Sequence, residues 1–290
     1  MSVWDVLRES LLDTLPVIPI LLPVYVALEY FSHRGGRDLV ARLHISRGNG
    51  PLAGTLLGII PQCGMSVLVT SFYLLRRVTT GTLLATYVAT SDEAIPVLLA
   101  SGGVTIIGAL VLIKAVAGIG WGYAVDAVWR SDCETPGDEA EGLAPESAIH
   151  MASVRWSAIF MHALRHSLHV FGIVFVATVL IAAVLNASSA ERMLQAWQTH
   201  AYLQVVPAAV FGLIPNCAVS VAIVEAFMKG ALSPGAAIAG LCAGAGFGPI
   251  LLVKDGDRRR ALRMLVLTLC AAIVTGLLLN WIYPSFGSLR

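Results

Sequence analysis

The sequence predicts an all-α polytopic membrane protein made of two inverted structural repeats, whose broken or re-entrant helices meet at the bilayer midplane. Of its 290 residues, 57% are apolar and only 13% are charged, which is too apolar for a soluble domain of this size. Apolar runs near the length needed to cross a hydrocarbon core of about 30 Å recur along the chain. A motif that contains proline and cysteine occurs once in each half.

Hydropathy divides the chain into eight apolar segments. They are residues 11–31, 52–75, 81–100, 103–125, 156–186, 204–228, 235–253 and 261–283. All are predicted to be helical, because the bilayer offers no partners for unpaired backbone groups and the runs are too long for barrel strands. A charged stretch with two prolines predicts a flexible acidic connector. The chain therefore divides into an N-terminal repeat (1–129), a connector (130–154) and a C-terminal repeat (155–290).

The composition also excludes several classes of function. A net charge of +1 leaves no basic face for a nucleic acid. A soluble enzyme is excluded by the recurrence of apolar segments. A disulfide framework is not expected, because four of the five cysteines lie inside apolar segments: Cys63, Cys217, Cys242 and Cys270.

The two halves resemble each other in sequence. Residues 58–67 align with residues 212–221 at an offset of 154 and share Gly, Ile, Pro, Cys, Ser and Val. The same offset pairs Gly81 with Gly235. Several coincidences at one spacing favour a duplication.

The loop charges favour an inverted arrangement of these halves. Residues 34–47 hold four arginines, whereas the matching loop near 187–203 holds only Arg192. Inversion requires a re-entrant hairpin in each half, and we choose the proline-containing segment, since Leu52 to Ile60 is long enough to reach mid-membrane. Most loop Lys and Arg residues then lie on the connector's side, which predicts a cytoplasmic connector in a bacterial inner (cell) membrane.

The two hairpin tips are the first candidate site. Pro61-Gln62-Cys63-Gly64 and Pro215-Asn216-Cys217-Ala218 would expose carbonyls, amides and thiols at the midplane, as secondary transporters do. Ser66 and Ser220 follow within one turn and are supporting candidates. The alternative is a proline kink beside a buried, inert cysteine. The duplication of the motif favours a site.

A pair of adjacent carboxylates is the second candidate. Asp92 and Glu93 lie in the middle of the third apolar segment, where each costs about 2.5–3.5 kcal/mol to insert. Cation coordination or proton exchange would explain them; the alternative is a capped helix break with Glu93 reaching water. Lys114 in the fourth segment needs a partner, for which these carboxylates are the candidates. It could couple transport by exchanging between them and solvent, or snorkel to an interface.

At the duplicated motif and at Ser91-Asp92-Glu93-Ala94-Ile95-Pro96, the sequence resembles the ArsP-type permeases, in particular the branch of ten-helix heavy-metal exporters and manganese transporters. The resemblance covers both halves. The Pro-x-Cys-Gly element of that family is Pro61-Gln62-Cys63-Gly64 here, and the second copy departs from it at Ala218. The resemblance implies outward movement of a heavy-metal or metalloid species.

The predicted function is secondary-active export of a divalent heavy-metal ion, of manganese or zinc type, by alternating access. The proposed site residues are Gln62, Cys63, Ser66, Asp92, Glu93, Asn216, Cys217 and Ser220. Among them the metal ligands would be Asp92, Glu93, Cys63 and Cys217, with Lys114 in a coupling role. The metal is a substrate, so no cofactor and no enzymatic activity are expected.

Other functions remain open at this point. The nearest is efflux of arsenicals or other metalloids through the cysteines. A passive channel and an intramembrane enzyme with Cys63 as its thiol nucleophile belong to other classes. The expected partners are the lipid bilayer, the transported species and a coupling proton or ion, and a homodimer is compatible with the sequence.

Overall fold

The computed structural model describes residues 48–61, 63–74, 76–90, 94–100, 104–129, 201–215, 217–255 and 258–282, together with 161, 164, 165, 168, 172 and 179. Throughout these ranges the regular structure is helical, as predicted. The first apolar segment, most of the fifth and the acidic connector lie outside the described residues.

In each half the structure describes the bounds of five helices. Those of the first half are α1 (Gly50–Ile59), α2 (Cys63–Leu74), α3 (Thr80–Ala89), α4 (Ala94–Ala100) and α5 (Val104–Val128). Those of the second half are α6 (Val205–Gly212), α7 (Cys217–Met228), α8 (Pro234–Ala243), α9 (Gly248–Asp255) and α10 (Arg258–Ile282). Helices α7 to α10 each begin 154 residues after their counterparts α2 to α5. The predicted duplication is therefore confirmed.

Helices α1 and α2 form a hairpin beside α3. Gly50 lies against Thr82, and Gly58 lies against Thr86 and Ala89, so α1 runs parallel to α3. Helix α2 runs the opposite way, because its Tyr73 hydroxyl is 3.5 Å from Thr80 Oγ1 at the start of α3. The chain turns back at Pro61, where proline cannot continue the helical hydrogen bonds.

The second half repeats this hairpin with α6, α7 and α8. Gly240 lies against the Ala208 carbonyl, and Gly244 lies close to that of Gly212, so α6 and α8 are parallel. Helix α7 runs antiparallel to α8, since Ser220 lies beside Gly244 and the later residue Ile223 lies beside the earlier residue Gly240. The turn again contains a proline, Pro215.

The third and seventh apolar segments are interrupted too, which hydropathy alone did not predict. The third becomes α3, which ends at Ala89, and α4, which begins at Ala94, and the seventh becomes α8 and α9, which meet at a bend of 41°. The second break contains Gly246 with φ of 61°, a conformation that a side chain disfavours. Among the described helices, α5 and α10 are each long and apolar enough to cross a membrane, and the bent pair α8 and α9 would make a third span.

The long helices return antiparallel to the interrupted ones. The carboxylate of Asp126, near the end of α5, accepts hydrogen bonds from Thr79 Oγ1 (2.6 Å) and from the Gly81 amide (2.8 Å) at the start of α3. In the second half Asn280 Oδ1 accepts from the Gly235 amide at 3.0 Å. In each repeat, a side chain near the end of the long helix thus binds the start of the interrupted helix, through a carboxylate in the first repeat and an amide in the second.

The halves contact each other reciprocally. Helix α2 packs on α9 while α4 packs on α7, and α3 packs on α10 while α5 packs on α8. The matched helices α5 and α10 also meet, and they run antiparallel. Trp121 Nε1 lies 3.2 Å from Thr275 Oγ1, while the ring centre of Trp129, the residue after α5, lies 5.8 Å from the guanidinium carbon of Arg263 near the start of α10. Reciprocal contacts of this kind relate two units by an approximate two-fold axis.

One apolar core joins both halves, and the outer faces of the long helices are apolar as well. The core includes Val69, Leu84 and Val88 of the first half and Val221 of the second. Exposed apolar residues on the long helices are Leu112 and Val116 of α5 and Leu262, Val266, Leu278 and Trp281 of α10. An apolar exterior around a packed interior is what lipid surroundings require.

Candidate functional site

The predicted hairpin tips lie at the depth where the neighbouring helices are interrupted. Gly58, three residues before Pro61, packs against Thr86 and Ala89, and α3 ends at Ala89. In the second half Gly212, three residues before Pro215, packs against Gly240 near the end of α8. Each proline tip therefore lies level with the break of the helix beside it.

The cysteines of both tips begin helices. Cys63 is the first residue of α2, and Cys217 is the first residue of α7. Gln62 and Asn216, which precede them, lie outside the described residues, as do Asp92 and Glu93 in the first break. The residues that flank this carboxylate pair, Thr90 and Ala94, are both buried.

The two supporting serines are buried beside the second break. Ser66 in the first turn of α2 is fully buried, and its carbonyl lies against Gly248 at the start of α9. Ser220 in the first turn of α7 is 9% exposed, and its hydroxyl lies close to Gly244 at the end of α8. The structure therefore brings the first turn of both tip helices to the glycine-rich break of the second half.

Lys114 is buried where the two halves meet. Its side chain is 1% exposed, so it does not extend to an interface as the snorkelling alternative requires. The ammonium donates hydrogen bonds to the carbonyl of Thr90, at the end of α3, and to the carbonyl of Leu241 in α8, at 2.7 Å for the latter. Thr90 precedes the predicted carboxylate element by two residues in the sequence.

Buried hydroxyls that the sequence reasoning missed surround this region. Thr70 donates to the Ser66 carbonyl at 2.6 Å, and its hydroxyl lies 2.8 Å from that of Tyr87. Tyr87 belongs to α3 and Thr90 follows its last residue, and the hydroxyls of Thr86 and Thr90 donate to carbonyls one turn earlier. Polar residues at one-turn spacing inside an apolar segment are the sequence signal that could have identified them.

The side chains that the structure describes do not assemble a metal site by themselves. No group of three or more His, Cys, Asp or Glu residues that could hold a metal ion occurs among them. Cys242 is buried and Cys270 is exposed, and both are free thiols. The predicted ligands Asp92 and Glu93 are outside these residues, and only the backbone of Cys63 and Cys217 is described, so the metal set stays a prediction.

Glu225 and Lys229 form the ordinary i, i+4 pair that their spacing predicts, at 4.0 Å. The pair lies at the end of α7, away from the tip at Cys217. It is separate from the region around Lys114.

Comparison with known proteins places the chain in a family. The matching family model is ArsP_2, described as "Putative, 10TM heavy-metal exporter", and it matches residues 5–187 and residues 155–286. No curated protein and no solved structure matches the chain. Because the two matched regions together span most of the sequence, the protein belongs to the ArsP_2 family of membrane proteins.

Proposed function

We propose that this protein exports a divalent heavy-metal ion, of manganese or zinc type, by alternating access between two inverted halves. The family supports heavy-metal export, and the choice of ion and the mechanism are our own extension. The observation that carries the proposal is the convergence of interrupted helices from both halves on the buried Lys114. Interrupted helices at the repeat interface are how secondary transporters expose backbone groups to a substrate.

The directions of the helices support inversion. Helices α5 and α10 occupy matched places in the two repeats, yet the end of α5 at Trp129 lies beside the start of α10 at Arg263. Two repeats in the same orientation would keep matched helices parallel. An axis in the membrane plane would turn one repeat upside down, as the loop charges favour.

The charges at the two ends of the helices support an orientation in the membrane. The turn between α2 and α3, the end of α5 and the start of α10 lie at one end of the described structure, which carries Arg76, Arg77, Lys254, Arg258, Arg259, Arg260 and Arg263. The opposite end carries Lys229, which pairs with Glu225. Since basic residues favour the cytoplasmic side, the first end, and the acidic connector that follows α5, would be cytoplasmic in a bacterial inner membrane.

In this proposal Asp92 and Glu93 supply the negative charge of the site. Cys63 and Cys217 would add thiolate ligands from the two tips, and Gln62 and Asn216 would add amide oxygens. Ser66 and Ser220 would be supporting substrate-binding residues. Carboxylates favour harder ions such as manganese, whereas thiolates favour softer ones, so this mixed set is compatible with manganese or zinc.

Energy for export would come from an ion gradient. The sequence has no nucleotide-binding motif, and Lys114 binds the carbonyl of Thr90, which precedes Asp92 by two residues in the sequence. A proton or other ion would therefore compete with the metal for this region, with Lys114 as the coupling residue.

A transport assay tests the proposal. Purified protein is reconstituted into vesicles that hold a fluorescent metal indicator, and initial rates are measured for Mn²⁺ and Zn²⁺. We expect D92N and E93Q to lower the rate by about tenfold or more, because losing a metal ligand is at least as costly as losing a residue that orients one. E225Q removes a carboxylate from the end of α7 and is the matched control, expected to transport at the wild-type rate.

Different outcomes favour the other functions. Unchanged Mn²⁺ and Zn²⁺ transport in both D92N and E93Q would refute the carboxylate site. Arsenite transport that depends on Cys63 and Cys217 but not on Asp92 would favour the metalloid exporter. Metal on the far side should accelerate uptake if access alternates, and its failure to do so would favour a channel.

A further inference from the structure

Lys114 binds backbone carbonyls from both halves of the molecule. Its ammonium contacts Thr90 O of the first half and, at 2.7 Å, Leu241 O of the second. A charged group this deeply buried is costly unless it is hydrogen-bonded and its charge is balanced. The two hydrogen bonds therefore stabilise the buried ammonium and also connect the two halves.

Both carbonyls lie at the carboxyl end of an interrupted helix. Thr90 is the C-terminal capping residue of α3, and Leu241 is in the last turn of α8, which ends at Ala243. Carbonyls in the last turn of a helix lack helical donors and carry the negative end of the helix dipole. Two such ends that face each other form a site for a cation.

We infer that Lys114 provides a tethered cation for a carbonyl site shared by α3 and α8, so that its ammonium occupies the place of a small free cation. The site accepts a compact monovalent cation with N–H donors, which is the chemistry of ammonium or methylammonium. This site is a feature of the folded protein and does not depend on which species is transported. Cys242, which follows Leu241, is fully buried within electrostatic reach of the same ammonium.

The residue of the second repeat that corresponds to Lys114 carries no charge, so only the first repeat provides a tethered cation. Thr268 of α10 corresponds to Lys114 of α5 at the offset of 154, and its hydroxyl donates to Met264 O of its own helix at 2.8 Å. It is as deeply buried as Lys114, with 1% exposure. Thr268 therefore provides a control position with matched depth and no charge.

The consequence for transport rests on the proposed function. If α3 and α8 separate when access alternates, the ammonium must release one of its carbonyls. A cation that takes its place on the released carbonyl would then be coupled to the movement of the halves.

Thermal unfolding of the purified full-length protein tests the site without any transport. We expect K114A to melt about 5–10 °C below wild type, because two charge-assisted hydrogen bonds are lost. Millimolar methylammonium should raise the Tm of K114A in a saturable manner and leave wild type and T268A unchanged. Choline, which has no N–H donors and is larger, controls for ionic strength and should raise none of them.

A second variant keeps the inference testable if K114A does not accumulate. K114Q retains N–H donors without the charge, so it should fold, melt below wild type and gain nothing from methylammonium.

A second measurement is the protection of Cys242 from N-ethylmaleimide, followed by peptide mass spectrometry. This protection should fall in K114A and recover with methylammonium. A K114Q variant as stable as wild type would overturn the inference, as would K114A that gains no stability from methylammonium or gains as much from choline.

Failure of this test is separable from failure of the proposed function. The unfolding and labelling readouts contain no transported metal. Export of Mn²⁺ or Zn²⁺ that depends on Asp92 would stand even if methylammonium had no effect on K114A.

Discussion

At the scale of single residues, the sequence places Lys114 inside an apolar segment, but it determines neither the burial of its side chain nor its contacts. A lysine inside an apolar segment requires a partner, and the nearby carboxylates are the candidates that sequence offers. The observed carbonyl of Leu241 lies 127 residues away. Every residue has a backbone carbonyl, so the sequence does not indicate which of them accepts a hydrogen bond from the Lys114 ammonium. Only the fold places the end of α8 beside α5.

Asp126 is a second residue whose role the fold defines. Its carboxylate holds Thr79 and Gly81 at the start of α3, whereas Asn280 holds Gly235 in the second half. The repeat therefore shows that an amide can perform this task.

We expect D126N to lower the free energy of unfolding by at most about 0.5 kcal/mol and D126A by about 1–3 kcal/mol, because D126A leaves the Gly81 amide without its acceptor. The measurement is thermal unfolding of the purified variants under one detergent condition. Equal losses in D126N and D126A would show that the charge, not the acceptor geometry, matters here.

At the scale of helices, the hairpins were predicted and the helix–helix contacts were not. Pro61 and the loop charges favoured a turn back at the middle of the second segment, and α1 and α2 indeed run in opposite directions along α3. The break in the third segment was considered only as an alternative for Asp92. A window-averaged hydropathy does not detect the end of α3, because the apolar run continues beyond it.

The close approach of α9 to α2 was also hidden in the sequence. Gly248 lies where a methyl group would be 2.8 Å from Thr70 Oγ1 and from Tyr87 Cε1, and 3.0 Å from the Ser66 carbonyl. Gly248 allows this close packing, and Gly246, with its positive φ, allows the chain to bend between α8 and α9. The partner helix, in the other half, could not be inferred.

We expect G248A to lower the free energy of unfolding by about 1–3 kcal/mol, because the methyl group would push α9 away from α2. Gly120 of α5 has no neighbour within 4 Å of the corresponding position, so G120A is the control. G120A should be neutral or slightly stabilising, since alanine favours a helix over glycine. If G248A unfolds at the temperature of G120A, the tight contact between the halves does not exist.

At the scale of the whole molecule, the duplication is visible in sequence and recurs in detail. Arg76 and Gly230, at matched positions, both have positive φ, of 57° and 72°, and each follows a helix that ends with the same pair of backbone hydrogen bonds. The sequence therefore predicts two copies of one fold. The offset alone says nothing about how the copies are oriented, which is why loop charge was needed.

The proposed transport mechanism depends on the inverted orientation of the two repeats in the membrane. In that orientation α1 and α2 would form a re-entrant hairpin, and the matched turns that follow α2 and α7 would lie on opposite sides of the bilayer. Gly48 precedes α1, Arg76 follows α2 and Lys229 follows α7. The sides of the membrane on which these three residues lie distinguish inverted from parallel repeats, and a re-entrant hairpin from a full crossing.

The most direct measurement labels G48C, R76C and K229C, each as the single cysteine of a cysteine-free protein, with a membrane-impermeant maleimide in intact cells and in inverted vesicles. We expect G48C and R76C to react only in inverted vesicles and K229C only in intact cells. Labelling of R76C and K229C from the same side would contradict the inverted repeats, and labelling of G48C and R76C from opposite sides would contradict the hairpin.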